Sequence, residues 1–142
     1  DFDGKVLDSM DIYKDDGMHY QGPPLSKPRQ RFGMASSCVD RFVYCAGGND
    51  KHGKALDTVE ILTFGHKGHP VGLWHELDAK LNQPRSELRL ISHHNALFAV
   101  GGRDSKGSVL NTVERLNTQA GGALWELFPN LNVGRREPIV RV

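Results

Sequence analysis

Cysteine is scarce in this sequence. Two thiols in 142 residues, Cys38 and Cys45, are too few for a disulfide framework and suit a reducing compartment. The two nevertheless fall in adjacent strand candidates and could face one another. No Asn-x-Ser/Thr acceptor occurs, which likewise points to an intracellular, cytoplasmic home. Net charge is almost nil. Eighteen basic residues against seventeen acidic ones leave +1 with no basic run, which argues against nucleic acid or an anionic membrane as the main partner. Long apolar runs are missing too. The longest, such as residues 96–100, fall far short of the roughly 20 residues a membrane helix needs, and no charged-then-apolar leader opens the chain, so no membrane insertion is expected. Aromatic residues make up only 8% and no amphipathic helix can be drawn. Sixteen glycines in a chain of one-domain length instead suggest many short strands joined by tight turns.

What the chain does contain is one stretch written twice. Residues 31–62 lie without a gap over residues 85–116, with Arg31 on Arg85, Gly47-Gly48 on Gly101-Gly102, and Thr58-Val59-Glu60 on Thr112-Val113-Glu114. Each copy is followed by a tryptophan, Trp74 or Trp125, and then by a closing run, Leu81-Asn82-Gln83-Pro84-Arg85 or Leu131-Asn132-Val133-Gly134-Arg135. The repeating unit is therefore about fifty residues long, a period characteristic of propeller blades.

An arginine, an apolar run into Gly-Gly, a later Val-Glu and a later Trp, all in that order, resemble the kelch repeat family. The resemblance implies an all-β fold, an incomplete kelch-type β-propeller of four-stranded antiparallel blades. Residues 1–30 read as the C-terminal half of a blade, because Val6–Tyr13 lies over Ala55–Leu62 and Leu25–Arg29 matches the closing run. Tyr20 then stands where later copies have Trp. Residues 31–84 and 85–136 read as complete blades, and 137–142 as the first strand of a further one. Strands are expected near 33–38, 42–47, 57–63 and 73–77, and again near 87–92, 96–101, 111–117 and 124–128. Residues 65–72 are too rich in Gly and Pro for a strand and are expected as an exposed hairpin loop. Since a closed ring needs at least about four blades, the remaining ones are expected from the same or another chain.

Several chemical motifs fail on inspection. Residues 48–55 have the GxxxxGK spacing of a phosphate loop, but Ala55 replaces the required Ser or Thr and a strand follows where a helix is needed. A calcium-loop register centred on Gly53 puts Gly48 and Val59 where carboxylates belong. Of the candidates His66, His69 and His75, the first two lie in a loop with no cysteine or carboxylate at ligand spacing, and His93 and His94, as neighbouring strand residues, should point to opposite faces. No metal, cofactor or catalytic residue is therefore expected. The repeated Arg and Glu read as a structural ion pair and the tryptophans as core with a partnered indole N–H.

The kelch resemblance implies a protein–protein interaction module or scaffold, not an enzyme. Alternatives are a structural segment of a large assembly, or the propeller portion of a galactose-oxidase-like copper enzyme, whose ligands would have to come from Tyr13, Tyr20 or Tyr44 and histidines. In such propellers the loops after Gly-Gly and the links between blades gather on one face. Here these offer Asn49, Lys51, His52, Lys54, Arg103, Ser105, Lys106 and Arg135 as partner-binding candidates. That mildly cationic set suits a protein partner with an acidic segment.

Overall fold

The computed structural model describes residues 5–37, 41–119 and 124–140. The described strands are β1 (Met10–Tyr13), β2 (His19–Gly22), β3 (Gly33–Ser37), β4 (Phe42–Ala46), β5 (Val59–Phe64), β6 (Pro70–Glu76), β7 (Arg89–His93), β8 (Ala96–Val100), β9 (Val113–Asn117) and β10 (Glu126–Phe128). They form a two-stranded sheet, β1-β2, and two four-stranded sheets, β3-β4-β5-β6 and β7-β8-β9-β10, antiparallel throughout and in chain order. No helix occurs among the described residues, so none there is long enough to cross a membrane. The fold is an all-β, incomplete propeller of four-stranded blades.

Short apolar runs become the second strands, and in β4 both faces are covered, one by each core. Tyr44, Cys45 and Ala46 in β4, and Ala96, Leu97, Ala99 and Val100 in β8, are all buried. Between the two four-stranded sheets lies a core of Tyr44, Ala46, Val59, Leu88, Leu90, Leu97, Leu116 and Trp125, among others. A smaller core of Leu25, Cys45, Leu62 and Trp74 joins β3–β6 to the two-stranded sheet. Trp74 Nε1 donates to the Pro23 carbonyl at 3.1 Å, and Trp125 Nε1 to that of Ala79 at 3.2 Å, so each buried indole keeps a partner.

The bulky first strand of the later blade, β7, is matched by the small one of the earlier blade, β3. A Cβ placed on Gly33 would stand 2.8 Å from Leu90 Cβ and 3.1 Å from Leu88 Cγ. Glycine in β3 thus makes room for leucine in β7, and the sizes alternate across the interface.

The ungapped overlay of the two copies fails at the first strand. Strand β3 begins at Gly33 and β7 at Arg89, so the link and first strand of the earlier copy sit two residues nearer the N-terminus than the overlay puts them. Second and third strands then coincide as expected, Phe42 with Ala96 and Val59 with Val113. The difference lies in the first hairpin, where residues 38–41 replace the two-residue turn His94-Asn95; Cys38 falls outside the described residues. Arg29, not Arg31, is therefore the true counterpart of Arg85.

That shift decides where the buried charges pair. Arg29 Nη1 donates to the carbonyls of Gly47 (3.0 Å) and Thr58 (3.3 Å), while Nη2 donates to Thr58 Oγ1 (3.1 Å) and to Glu60. Arg85 repeats the set on Gly101 (2.9 Å), Thr112 (3.1 Å), Thr112 Oγ1 (3.0 Å) and Glu114. All four charged side chains are fully buried. Each glutamate also caps a closing run, Glu60 accepting from Ser26 N–H and Glu114 from Asn82 and Gln83 N–H. Burial pulls the Arg85 guanidinium below its ordinary pKa, and Glu114 opposes that pull.

Three local expectations need correction. Strand β6 begins at Pro70, inside the stretch expected to be a loop. Proline is tolerated as the first residue of an edge strand, and Gly72 (φ 81°) lies near a register shift between Ile61 and Thr63 that takes up the irregularity. In β2, His19 rather than Tyr20 takes the tryptophan position: Ile12 pairs with Tyr20 as Ile61 pairs with His75, which sets His19 beside Tyr13. Of the strand expected over 137–142, residues 137–140 carry none, although Val140 lies against the β7–β10 sheet, and 141–142 fall outside the described residues.

Candidate partner-binding face

The two loops after the glycine pairs are built alike. Asp50 Oδ1 accepts the N–H groups of His52 (2.8 Å) and Lys54 (3.0 Å), and Asp104 Oδ1 those of Lys106 (2.8 Å) and Ser108 (2.9 Å). The Lys54 N–H bond, with that of His52, holds the Asp50 carboxyl below its usual pKa. Each loop is thus a preformed turn that presents its basic side chains outward: Lys51, His52 and Lys54 in one, Ser105 and Lys106 in the other, all exposed.

The links between blades bind both loops together. Gln30 and Asn49 bridge each other, Asn49 bridges Ala55, Ser86 bridges Arg103, and Arg103 bridges Val109. Gly48 N–H donates to the Arg85 carbonyl at 2.9 Å, so the link after Pro84 runs between one loop and the other. The glycine pairs permit this close approach: a Cβ on Gly47 would meet the Arg85 carbonyl oxygen at 2.4 Å, and one on Gly101 the Arg135 oxygen at 2.4 Å.

Beside the loops lies a charged mouth that the sequence did not single out. Arg31, Glu87 and Glu137 hold left-handed backbone, with φ of 55°, 52° and 45°. Glu87 N–H donates to the Arg31 carbonyl (2.8 Å) and Glu137 N–H to that of Glu87 (2.6 Å), which steps the chain from one link to the next. The buried Glu87 carboxylate takes a 2.7 Å bond from Arg31 Nη1 through Oε1 and lies 3.3 Å from Arg103 Nε through Oε2, the latter an ion pair without hydrogen-bond geometry. Arg31, Phe32, Glu87, Leu88, Arg89 and Glu137 line a cleft of about 290 Å³. The missed signal was the shift of the first strand, which turns Arg31 from a structural arginine into the counterpart of Glu87.

The eight expected residues do not share one environment. Lys51, His52, Lys54, Ser105 and Lys106 stand on the loops, Asn49 and Arg103 are half-buried at their bases, and Arg135 is exposed on the last link. Arg135 takes the backbone position of Arg29 and Arg85: its N–H donates to Leu110 as Arg85 N–H does to Leu56, and its carbonyl accepts from Gly102 as that of Arg85 does from Gly48.

The other chemical candidates fall elsewhere. His93 and His94 were expected on opposite faces, yet their rings are 4.0 Å apart, because the positive φ of His94 (50°) turns it back at the hairpin. His69 hydrogen-bonds Lys14 Nζ at 3.1 Å and packs beside Tyr20. Tyr13, one of the three tyrosines that a copper site would have to use, is 75% exposed. Among the described residues, no three His, Cys, Asp or Glu side chains come together as a metal site.

The kelch motif matches residues 84–132, the stretch that carries Arg85, Gly101-Gly102, Glu114 and Trp125. The chain carries a kelch repeat in an incomplete propeller. A solved structure described as "Structure of YjhT" is similar in fold, with a TM-score of 0.73 and 14% identity over 91% of this chain and 40% of that one. This chain thus spans well under half the length of that structure. A search of curated protein sequences gives no match.

Proposed function

We propose that this chain is a non-enzymatic kelch interaction module that receives an acidic segment of a protein partner on the face formed by residues 49–55, 103–109 and the links between them. The observation that carries this reading is the pair of Asp-tied turns, which hold Lys51, Lys54 and Lys106 in fixed, solvent-facing positions beside the Arg31–Glu87–Arg103 mouth. Preformed turns lose little conformational freedom on binding, and exposed cations accelerate encounter with an acidic strand. The free, buried Cys45 thiol fits a reducing, cytoplasmic setting.

The copper-enzyme alternative gains nothing from the tyrosines. Tyr44 lies in the core between the four-stranded sheets, Tyr20 donates to the Gly68 carbonyl, and Tyr13 stacks on His19. A scaffold role within a larger assembly is favoured by the apolar cleft on the β7–β10 sheet.

Binding of a Glu-rich peptide at low and high salt tests the proposal. Reversal of Lys51, Lys54 and Lys106 to Glu should reduce affinity at least tenfold at low salt and flatten the salt dependence. Arg103 is left intact because a glutamate there would face Glu87. Unchanged peptide affinity in the reversed chain would show that this face is not the binding surface.

A further inference from the structure

We infer that Glu87 is an internal competitor for the acidic partner segment, a role that rests on the acidic-segment reading above: its carboxylate occupies Arg31 and Arg103 as a partner carboxylate would, and so sets how tightly the face binds. Arg31 reaches it from the link before β3 and Arg103 from the loop after Gly101-Gly102. Arg31 Nη1 donates to Glu87 Oε1 at 2.7 Å, and Arg103 Nε lies 3.3 Å from Oε2, so two guanidinium groups share one carboxylate. The contact displays the chemistry that the mouth accepts, an acidic side chain held between arginines.

The Arg29–Glu60 and Arg85–Glu114 pairs show how this fold builds an ion pair for structure alone. All four side chains are wholly buried, each arginine also holds two carbonyls and a threonine hydroxyl, and each glutamate also accepts backbone N–H groups. The Glu87 pairs are made differently. The Glu87 side chain is only 7% accessible, but Arg31 is 59% and Arg103 33% accessible, and among the described residues Arg31 donates to Glu87 alone. Glu87 Oε2 and Arg103 Nε are buried without a hydrogen bond on either. Glu87 also holds φ 52°, a conformation that a glutamate adopts at a cost. A desolvated carboxylate that is only half satisfied is held loosely, and both arginines keep surface in water that a second carboxylate can reach.

The charge balance favours exchange as well. One carboxylate against two guanidinium groups leaves a single positive charge beside the cleft that Arg31, Phe32 and Glu87 line. An arriving acidic side chain therefore meets a like charge behind the arginines. On the neighbouring loops no ion pair forms on Lys51, Lys54 or Lys106 among the described residues, and all three are exposed. The lysines draw the acidic segment in, and Glu87 limits how firmly the mouth then holds it.

Titration of a Glu-rich peptide at low salt into the native chain and Glu87→Gln reads the competition. The amide keeps the shape and an oxygen for Arg31 but removes the charge, so the variant should bind at least about fivefold tighter. Adding Arg31→Ala to Glu87→Gln should abolish the gain, because the freed Arg31 is what the peptide captures. Equal or weaker binding by Glu87→Gln overturns the inference and leaves Glu87 a support between blades. Glu87→Ala is read in the same way if the amide variant does not fold. Reversal of Lys51, Lys54 and Lys106 to Glu separates this role from the reading beneath it. A gain at Glu87→Gln that survives the reversal upholds the competition and rejects the loops as the binding surface. Binding that depends on those lysines but not on Glu87 rejects the competition alone.

Discussion

In the sheet β3–β6, the guanidinium of Arg29 holds two carbonyls, a threonine hydroxyl and Glu60; in β7–β10, Arg85 holds the matching four groups, with Glu114 as the acid. Around these pairs the sheets diverge. One has a longer first hairpin and a bulged outer strand reaching back to Pro70; the other has a two-residue turn and an outer strand of three residues. Variation is tolerated at the rim, where inserted residues meet water, but not at the buried pair, where an unmatched charge has no solvent to fall back on.

The largest effect should come from breaking that shared feature. Arg29→Ala or Arg85→Ala strands a fully buried glutamate and should each cost about 3–5 kcal/mol in urea unfolding. Arg31→Ala removes an exposed member of the mouth, 59% accessible, and should cost less than about 1 kcal/mol. Equal losses at Arg29 and Arg31 would mean that the ungapped overlay, which equates Arg31 with Arg85, was right after all. Next in size is the tryptophan core. Trp125→Ala should cost about 3 kcal/mol, and Trp74→Ala less, because Trp74 belongs to the smaller core.

Much of this was legible beforehand because the repeat prints its core twice. The second and third strands, the glycine pairs and the buried Glu60 and Glu114 all follow from residues whose neighbours recur with them. Arg29 was harder to see. Pro28-Arg29 has the same form as Pro84-Arg85, but the chance agreement of Arg31 with Arg85 in an ungapped overlay outweighed it, since a hairpin insertion changes spacing without leaving a composition signal. The charged mouth was hidden for a related reason: the left-handed backbone at Arg31, Glu87 and Glu137 falls on residues that do not advertise it, where glycine or asparagine would have. The lysine loops were visible through their Asp-Lys and Gly pattern, whereas the burial of Glu87 depends on packing across two blades.

The small core beside the two-stranded sheet offers a pH test. Burial raises the Cys45 thiol from 9.0 to about 12, so the folded chain keeps its proton after the unfolded chain has lost it. The stability this contributes is fully present below pH 9 and is lost as pH rises from there towards 12. Unfolding free energy should therefore fall by about 1 kcal/mol between pH 9 and pH 10 relative to a Cys45→Ala chain. Parallel curves for the two chains would place Cys45 in water rather than in the core.

The smallest effect belongs to the rim. His69 lies on the outer hairpin, where its Nε2 meets Lys14 Nζ at 3.1 Å, its ring lies 5.4 Å from that of Tyr20, and the neighbouring Gly68 carbonyl accepts from Tyr20 at 3.4 Å. These contacts tie β6 to the two-stranded sheet from outside, but every one of them is open to water, which replaces a lost hydrogen bond at little cost. His69→Ala should then shift stability by no more than about 0.5 kcal/mol, although Trp74, on the strand that follows, is buried and should cost several times more. Urea midpoints for the two variants decide the matter. A His69→Ala loss as large as that of Trp74→Ala would mean that the outer clasp, and not the core of Leu25, Cys45, Leu62 and Trp74, holds the two-stranded sheet in place.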